Sequence, residues 1–417
     1  MQLPQRLQLE EVTAEDMNDR FSHSAWEASG RYRMLDPDTG RVWGFIVVDQ
    51  SLRGPGLGGI RIAPDLTLGE VMRLAHVMTL KNSAANLPLG GGKSGIIADA
   101  EILRSEPAMK KELIAKFAEA AFEVSDYIPA PDMGTDEQDI QLIYDLYSTK
   151  LGARNHRRGG AGRPPELGGV PIDDWGLTAH GLFAAAETLE SLDEDLKLEH
   201  CDVVVQGYGN VGSRIAEKLA ARGARIVGAS DIHAALWNAQ GLDLDALRTA
   251  RRNPWGLDTY SGKVDKKWGP DRLHWLLEAP CHFLIPAARP NAITARNADR
   301  IQCRYVLQGA NVPSSKVTEY YLQKKRGIVS LCDFIVNAGG VIGCAAELEY
   351  TSDAAYRERV DARGFRNYLE DRIYETVRNN TRSIMAMTLE NEDLIFRDAA
   401  EILAHERLNV KEKEIWI

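Results

Sequence analysis

Apolar and polar positions along the chain separate into segments of distinct period. From about Trp43 to Ile62 the text WGFIVVDQSLRGPGLGGIRI reads as short strands broken by Gly and Pro turns, which suits a sheet-based first domain. Thr67 and Glu70 then form a capping box, after which Val71, Leu74 and Met78 recur at helical spacing. The next position on that stripe is Lys81, a charge where an apolar residue is due. A cluster of glycines, Gly90, Gly91, Gly92 and Gly95, interrupts the pattern, and a buried strand is expected to begin at Ile96 and Ile97. Helical periodicity returns from Met109 to Val124, and YIPAPDMGTDE punctuates the chain. Residues 152–176, rich in Gly and Pro and without periodicity, read as a linker. Beyond them VVVQGYGNVGSRIAEKLAARGARIVGASD gives strand, glycine turn, helix and strand in about thirty residues, one βαβ unit. Apolar strand-like pieces recur at HFLIPAA, RYVLQG and GIVSLCDFIV, and from Glu347 the chain is charged, amphipathic and helical.

The pattern predicts an α/β fold with two domains: an N-terminal α/β domain over residues 1–175, completed by the helical segment 347–417, and a Rossmann-like, doubly wound domain over 176–346. A chain of 417 residues with 44% hydrophobic content is long enough for both cores. No apolar run approaches the ~20 residues of a membrane span, and the amino terminus lacks a basic-then-apolar signal, so a cytoplasmic protein that does not meet the membrane is expected. The cysteines Cys201, Cys281, Cys303, Cys332 and Cys344 are odd in number and widely spaced, which indicates buried thiols rather than disulfides or a metal site. A net charge of −10 argues against a nucleic-acid partner, and the basic stretch Arg154 to Arg163 reads as a solvated surface loop.

Chemistry enters at the glycine turn. Gly207, Gly209 and Gly212 form GxGxxG directly after an apolar strand and at the start of a helix, where Asn210 and Val211 follow and backbone N–H groups can hold a pyrophosphate. The second strand ends at Asp231, roughly twenty residues on, an acceptor for ribose hydroxyls. Ile232 to Ala235 supply no Arg or Lys to offset a 2′-phosphate, so NAD is expected over NADP. Lys93 lies in LPLGGGKSGI, where glycines let a substrate approach closely. A lysine in a desolvated pocket beside a second cation is the usual way to obtain an acid–base group near neutral pH. Asp132, in PAPDMGT, either caps the helix that follows or supplies a carboxylate to the lysines.

The segments MTLKNSAANLPLGGGKSGI, PAPDMGT, QGYGNVG, PAARPNAIT, QGANVPSS and NAGGVIG resemble, in order, the signature segments of glutamate, leucine, phenylalanine and valine dehydrogenases. That resemblance implies an enzyme interconverting an L-amino acid with its 2-oxo acid and ammonia. It implies that Lys81 binds the substrate α-carboxylate beside Gly90 and Gly91, that Lys93 activates the attacking water, and that Asp132 shuttles protons to the amino nitrogen. Thr178, Ala287, Asn311 and Asn337 are placed by it at the cofactor, and a closed homo-oligomer, hexamer or octamer, is implied as well. Glutamate-specific members carry a lysine before the paired glycines of GG-x-R and a serine seven residues after the asparagine of NAGGV. Here those positions hold Leu57 and Cys344, which removes both anchors for a side-chain carboxylate and favours an apolar substrate. Glutamate bound through a relocated anchor is the alternative, and GRPPELGG from Gly162 resembles the glutamate enzymes. An idle NAD-binding scaffold is disfavoured by Lys81, Lys93 and Asp132, and a hydroxy-acid dehydrogenase by the lack of a histidine in comparable context.

Overall fold

The computed structural model describes residues 3–13, 28–152 and 159–408. It divides into two compact units, one of Met1–Pro171, Val341–Phe365 and Ala404–Ile417, the other of Ile172–Gly340 and Arg366–Leu403. No helix among the described residues is long and apolar enough to cross a membrane.

The first unit is built on a six-stranded mixed sheet of β1 (Gln8–Glu11), β2 (Gly30–Leu35), β3 (Val42–Gln50), β4 (Gly56–Ala63), β5 (Gly90–Ile97) and β6 (Tyr127–Pro131), in the order β1-β2-β3-β5-β4-β6. β4 runs parallel to both β5 and β6, while the remaining pairs are antiparallel. Alternation along the strands gives the sheet two apolar faces. On one, Val47 packs with Leu66, Val71 and Ala75 of the helix Leu68–Ala84 and its approach. On the other, Ile46, Ile60, Ile62 and Ile96 pack with Leu113 and Phe117 of the helix Pro107–Ala121 and Ile140 and Ile143 of Glu137–Leu151.

Glycines do not interrupt β5; the strand runs through them. A Cβ on Gly91 would lie 2.1 Å from Thr79 Oγ1, and one on Gly90 1.7 Å from the Gln50 carbonyl. Helix and strand therefore approach more closely than any side chain allows, and tertiary packing overrides the poor strand propensity of glycine.

The second unit holds a seven-stranded sheet of β7 (Asp202–Gln206), β8 (Arg225–Ser230), β9 (Ala235–Trp237), β10 (Lys266–Trp268), β11 (Phe283–Pro286), β12 (Tyr305–Leu307) and β13 (Val329–Leu331), ordered β10-β9-β8-β7-β11-β12-β13. β8, β7, β11, β12 and β13 are parallel, and β9 and β10 add antiparallel at one edge. Chain order reverses between β7 and β11, so the crevice beyond their carboxyl ends is the switch point where Rossmann-like sheets take ligands. GIVSLCDFIV is a strand only to Leu331; Asp333–Val336 turns into a helix because the Asp333 N–H is taken by the buried Gln308 side chain.

Four further expectations need correction. The stretch 347–417 does not go wholly with the first unit: Arg366–Leu403 joins the second, where Val377 packs at Gly181 and Arg397 pairs with Glu319. The Gly/Pro-rich stretch after residue 158 is not a solvated linker, since Ala161 and Arg163 are fully buried. Of the basic run, Arg154, Arg157 and Arg158 lie outside the described residues, and Arg163 is no surface group: its Nε donates to Glu347 at 2.7 Å, and both side chains are wholly buried. Cys201, Cys332 and Cys344 are buried free thiols, whereas Cys281 and Cys303 are only partly covered.

Candidate active site

In the first unit the site forms on the sheet face that the helix Leu68–Ala84 covers. Lys93 stands opposite Val47 across β3 and β5, which fixes it on that face, while Ser94 points away and bonds the Tyr127 hydroxyl at 2.8 Å. Gly59 lies beside Lys93: a Cβ there would sit 2.7 Å from Asp132 Cβ and 3.2 Å from Lys93 Nζ. The glycine is thus required so that the ammonium and the carboxylate can meet.

They do meet. Lys93 Nζ donates to Asp132 Oδ2, and Arg61 Nε donates to the same oxygen at 3.3 Å. Arg61 Nη1 also holds Glu70 at 2.9 Å, so one guanidinium spans β4 and the first turn of the helix. Lys93 and Arg61 are buried, and the Asp132 side chain is 13% exposed. Burial alone would raise the Asp132 carboxyl, but Lys93 and then Arg61 outweigh it and hold it down at about 2.

Helix capping is not the task of Asp132. Asp136 caps Glu137–Leu151 and forms a capping box with Asp139. The Asp132 turn is instead tied to β4: Asp132 N–H donates to Thr135 Oγ1, Thr135 Oγ1 donates to the Ile60 carbonyl, and Ile62 N–H to the Met133 carbonyl. The direct partner of Lys93 is therefore a carboxylate rather than a second ammonium.

Lys81 is buried at the end of its helix, as its place on the apolar stripe implied. Its neighbour Asn82 donates to the Gly90 carbonyl at 2.6 Å, which locks the first glycine of β5 to the helix. Leu57 is 1% exposed and lies between Gly91 and Ile128 in the sheet register. Ile128 lines a cavity of about 20 Å³ with Pro55, Pro88, Leu89, Ala345, Leu348 and the polar Glu349 and Ser352. Cys344, next to Ala345, is buried near Glu347, and burial pushes its thiol up.

In the second unit, Gly207 follows β7 at φ +98, where a Cβ would meet Ala288 at 2.7 Å, and Gly212 packs on the Gly207 carbonyl. The helix Asn210–Ala221 has no side-chain cap, and a Cβ on Gly209 would meet nothing within 4 Å. Asn210 and Gly209 are exposed and Val211 is half-buried, so uncapped N–H groups face open space at a dipole's positive end. Gly309 approaches Ala287, and Asn337 Nδ2 donates to Asn311 Oδ1 at 3.2 Å and towards the Gly309 and Ala310 carbonyls. Thr178 stands beside Gly340. All the cofactor candidates but Asp231 thus gather along the carboxyl edge of β7, β11 and β12.

Three buried polar atoms in this region lack a partner: Gln206 Oε1, Tyr208 Oη and Asn337 Oδ1. Orphaned acceptors beside an uncapped helix end are what a dinucleotide with phosphates and a carboxamide would complete, so the residues fit that group. Asp231 accepts from the N–H groups of His233 (2.8 Å), Ala234 (2.9 Å) and Leu257 (2.6 Å), which fixes the carboxylate at the end of β8.

Two residues escaped the sequence reading. Arg61 was visible only as the arginine of GG-x-R, where its position two residues past Gly59 puts it on the face of Lys93. Arg251 bonds Asn210 Oδ1 at 2.6 Å from forty residues away, a tertiary contact without local signal.

Comparison with known proteins gives the family and the fold. Residues 168–414 match the family described as Glutamate/Leucine/Phenylalanine/Valine dehydrogenase, and residues 24–149 match the Glu/Leu/Phe/Val dehydrogenase dimerisation domain. The chain is 32% identical to the NAD-specific glutamate dehydrogenase A of Halobacterium salinarum, over 90% of this chain and 83% of that one. It is 34% identical to the NADP-specific glutamate dehydrogenase of Saccharolobus shibatae, over 71% and 68%. Among solved structures it is similar to the hetero-hexameric glutamate dehydrogenase of Thermus thermophilus in a Leu-bound form, with a TM-score of 0.71, 27% identity, and coverage of 97% and 88%.

Proposed function

The chain belongs to the glutamate/leucine/phenylalanine/valine dehydrogenase family and is an oxidoreductase acting on CH–NH2 groups, and on that premise we propose that it interconverts L-glutamate with 2-oxoglutarate and ammonia. The relatives that match most of its length carry the glutamate name, and this supports the substrate. The observation that carries the chemistry is the buried Lys93–Asp132–Arg61 cluster.

In the proposed reaction Lys81 holds the substrate α-carboxylate, and Lys93, an ammonium against Asp132, orients the water that attacks the imino carbon and offsets the charge left on its oxygen as the water's proton passes to solvent. Asp132, ionised at neutral pH, enters deamination as the base that takes a proton from the amino nitrogen; it holds no proton to give until one arrives. Arg61 keeps the carboxylate in place. A dinucleotide would supply the hydride acceptor in its nicotinamide ring; the open helix end at Gly207–Gly212 would hold its pyrophosphate, and the unpaired Asn337 Oδ1 its carboxamide.

NAD is the proposed cofactor, because Asp231 is fixed where a 2′-phosphate would bring a second anion. Arg251 beside Asn210 is a feature favouring NADP, and relatives of both specificities exist. A closed oligomer is proposed by analogy with the hetero-hexameric relative, and a homo-oligomer is its simplest form for one chain.

A second substrate reading rests on a specific observation. Leu57 is buried where the side-chain lysine of glutamate enzymes would stand, and Cys344, also buried, replaces the serine. An aliphatic or aromatic amino acid would leave no buried carboxylate unpaired there. NADH consumption with ammonia and a panel of 2-oxoglutarate, 4-methyl-2-oxopentanoate and phenylpyruvate separates the two. Preference for 2-oxoglutarate is expected, and preference for either other acid replaces the glutamate reading with the apolar one.

A further inference from the structure

Val312 has φ +48, in the left-handed region that a β-branched residue avoids. It directly follows Asn311, and its conformation is held from both sides. Its carbonyl accepts from Asn291 N–H at 3.0 Å, and its N–H donates to Asp333 Oδ2 at 2.9 Å. Asp333 and Asn337 stand one turn apart at the two ends of the helix Asp333–Val336, so that one short element grips Val312 through a carboxylate and Asn311 through an amide.

The other oxygen of Asp333 leads into a buried network. Arg397 Nη2 lies 3.3 Å from Asp333 Oδ1 and from Gln308 Oε1, and the same guanidinium forks onto Glu319, with Nε to Oε2 at 2.6 Å and Nη2 to Oε1 at 2.8 Å. Gln308 in turn donates to Glu319, Ser314 and Ser330, and its Oε1 accepts the Asp333 N–H. Arg397, Glu319, Asp333 and Gln308 are all buried. Two carboxylates thus share one pocket, and a single cation makes their coexistence tolerable. Without the fork of Arg397, one carboxylate has to take up a proton or move away, and the acceptor that holds Val312 in its strained state weakens.

We propose that Arg397 is a positioning residue for the nicotinamide end of the cofactor site: through Asp333 it keeps Val312 left-handed and so presents the Asn311–Asn337 pair, with the unpaired Asn337 Oδ1, to the carboxamide. This rests on the proposed reading of Asn311 and Asn337 as nicotinamide-facing. It assigns to a helix from the last quarter of the chain a task that no local sequence feature announces.

The test compares NADH with ADP-ribose, which keeps the adenine, riboses and pyrophosphate but lacks the nicotinamide. Dissociation constants are measured by calorimetry on the full chain as wild type, Arg397→Lys and Asn337→Ala. The expected result is that Arg397→Lys weakens NADH about tenfold, the worth of one charge-assisted hydrogen bond, and leaves ADP-ribose unchanged. Adding Val312→Gly, which tolerates the positive φ without restraint, should return much of the lost NADH affinity. Unchanged NADH affinity in Arg397→Lys, or equal loss of both ligands, overturns the proposal.

If Asn337→Ala loses the NADH margin while Arg397→Lys keeps it, only the Arg397 inference falls. If Asn337→Ala keeps it, the nicotinamide-facing reading falls and takes the inference with it. Should Arg397→Lys fail to fold, Asp333→Ala, which removes the acceptor of the Val312 N–H, carries the same expectation, and an unchanged NADH margin there overturns the proposal equally.

Discussion

Arg61 Nε donates at 3.3 Å to Asp132 Oδ2, the oxygen that Lys93 also holds, so the carboxylate is shared between two buried cations. Removing Arg61 leaves the burial of Asp132 in place and takes away part of the compensation, of which Lys93 supplies the larger share. Arg61→Met is therefore expected to raise the Asp132 carboxyl from about 2 and to shift the acid limb of the kcat/KM profile to higher pH. A limb that stays where it was would remove Arg61 from the electrostatics of the site.

The same shift links to stability, with a definite sign. Asp132 is held at about 2 against an ordinary 3.8, so its contribution is complete above about pH 4 and disappears as pH falls through 2. The difference corresponds to about 2 kcal/mol. Denaturant melts of wild type and Asp132→Asn should differ most at pH 5 to 7 and converge on acidification. A gap that does not narrow would mean that the pair is not what stabilises the folded carboxylate.

Lys93→Ala should lower turnover by about 10²- to 10⁴-fold, the range for a positioned acid–base group. The uncapped helix at Gly209–Asn210 lies in the other unit, so NADH binding should persist by fluorescence titration. Turnover that survives the substitution would take Lys93 out of the mechanism.

How much of this was legible follows from where each signal sits. GxGxxG and the Lys81 stripe are local patterns, and both landed on the elements expected of them; of the capping box only the Thr67 cap forms, because the Glu70 carboxylate is taken by Arg61. β5 was misread because glycine in a strand usually signals a break, whereas here it records the close approach of a helix that only the fold brings near. Arg163 was misread for a related reason. It was read with the basic residues Arg154, Arg157 and Arg158 of its run, but its true partner is Glu347, nearly two hundred residues away. Asp132 was correctly weighed as cap or carboxylate, and only the structure separates these, by giving the cap to Asp136.

Leu57 offers a direct handle on specificity. Its register partners Gly91 and Ile128 place it in the sheet that carries Lys93. Leu57→Lys should raise kcat/KM for 2-oxoglutarate relative to 4-methyl-2-oxopentanoate by about tenfold or more, as one charged hydrogen bond is worth ~1.5–3 kcal/mol. An unchanged ratio would show that the side-chain pocket lies elsewhere.

Glu347 receives the Arg163 guanidinium together with the backbone N–H groups of Gly162, Arg163 and Val170, and burial nevertheless leaves its carboxyl raised. The pair is therefore a costly arrangement that is intact only while both members are present. Arg163→Met strands a buried carboxylate and should cost about 3–5 kcal/mol. In Arg163→Met with Glu347→Gln the charge is gone, while the amide oxygen still accepts from the backbone, so the double variant should melt above the single one. That ordering, unlike simple destabilisation, distinguishes a desolvated ion pair from generic core packing, and a double variant that melts no higher than Arg163→Met would refute it.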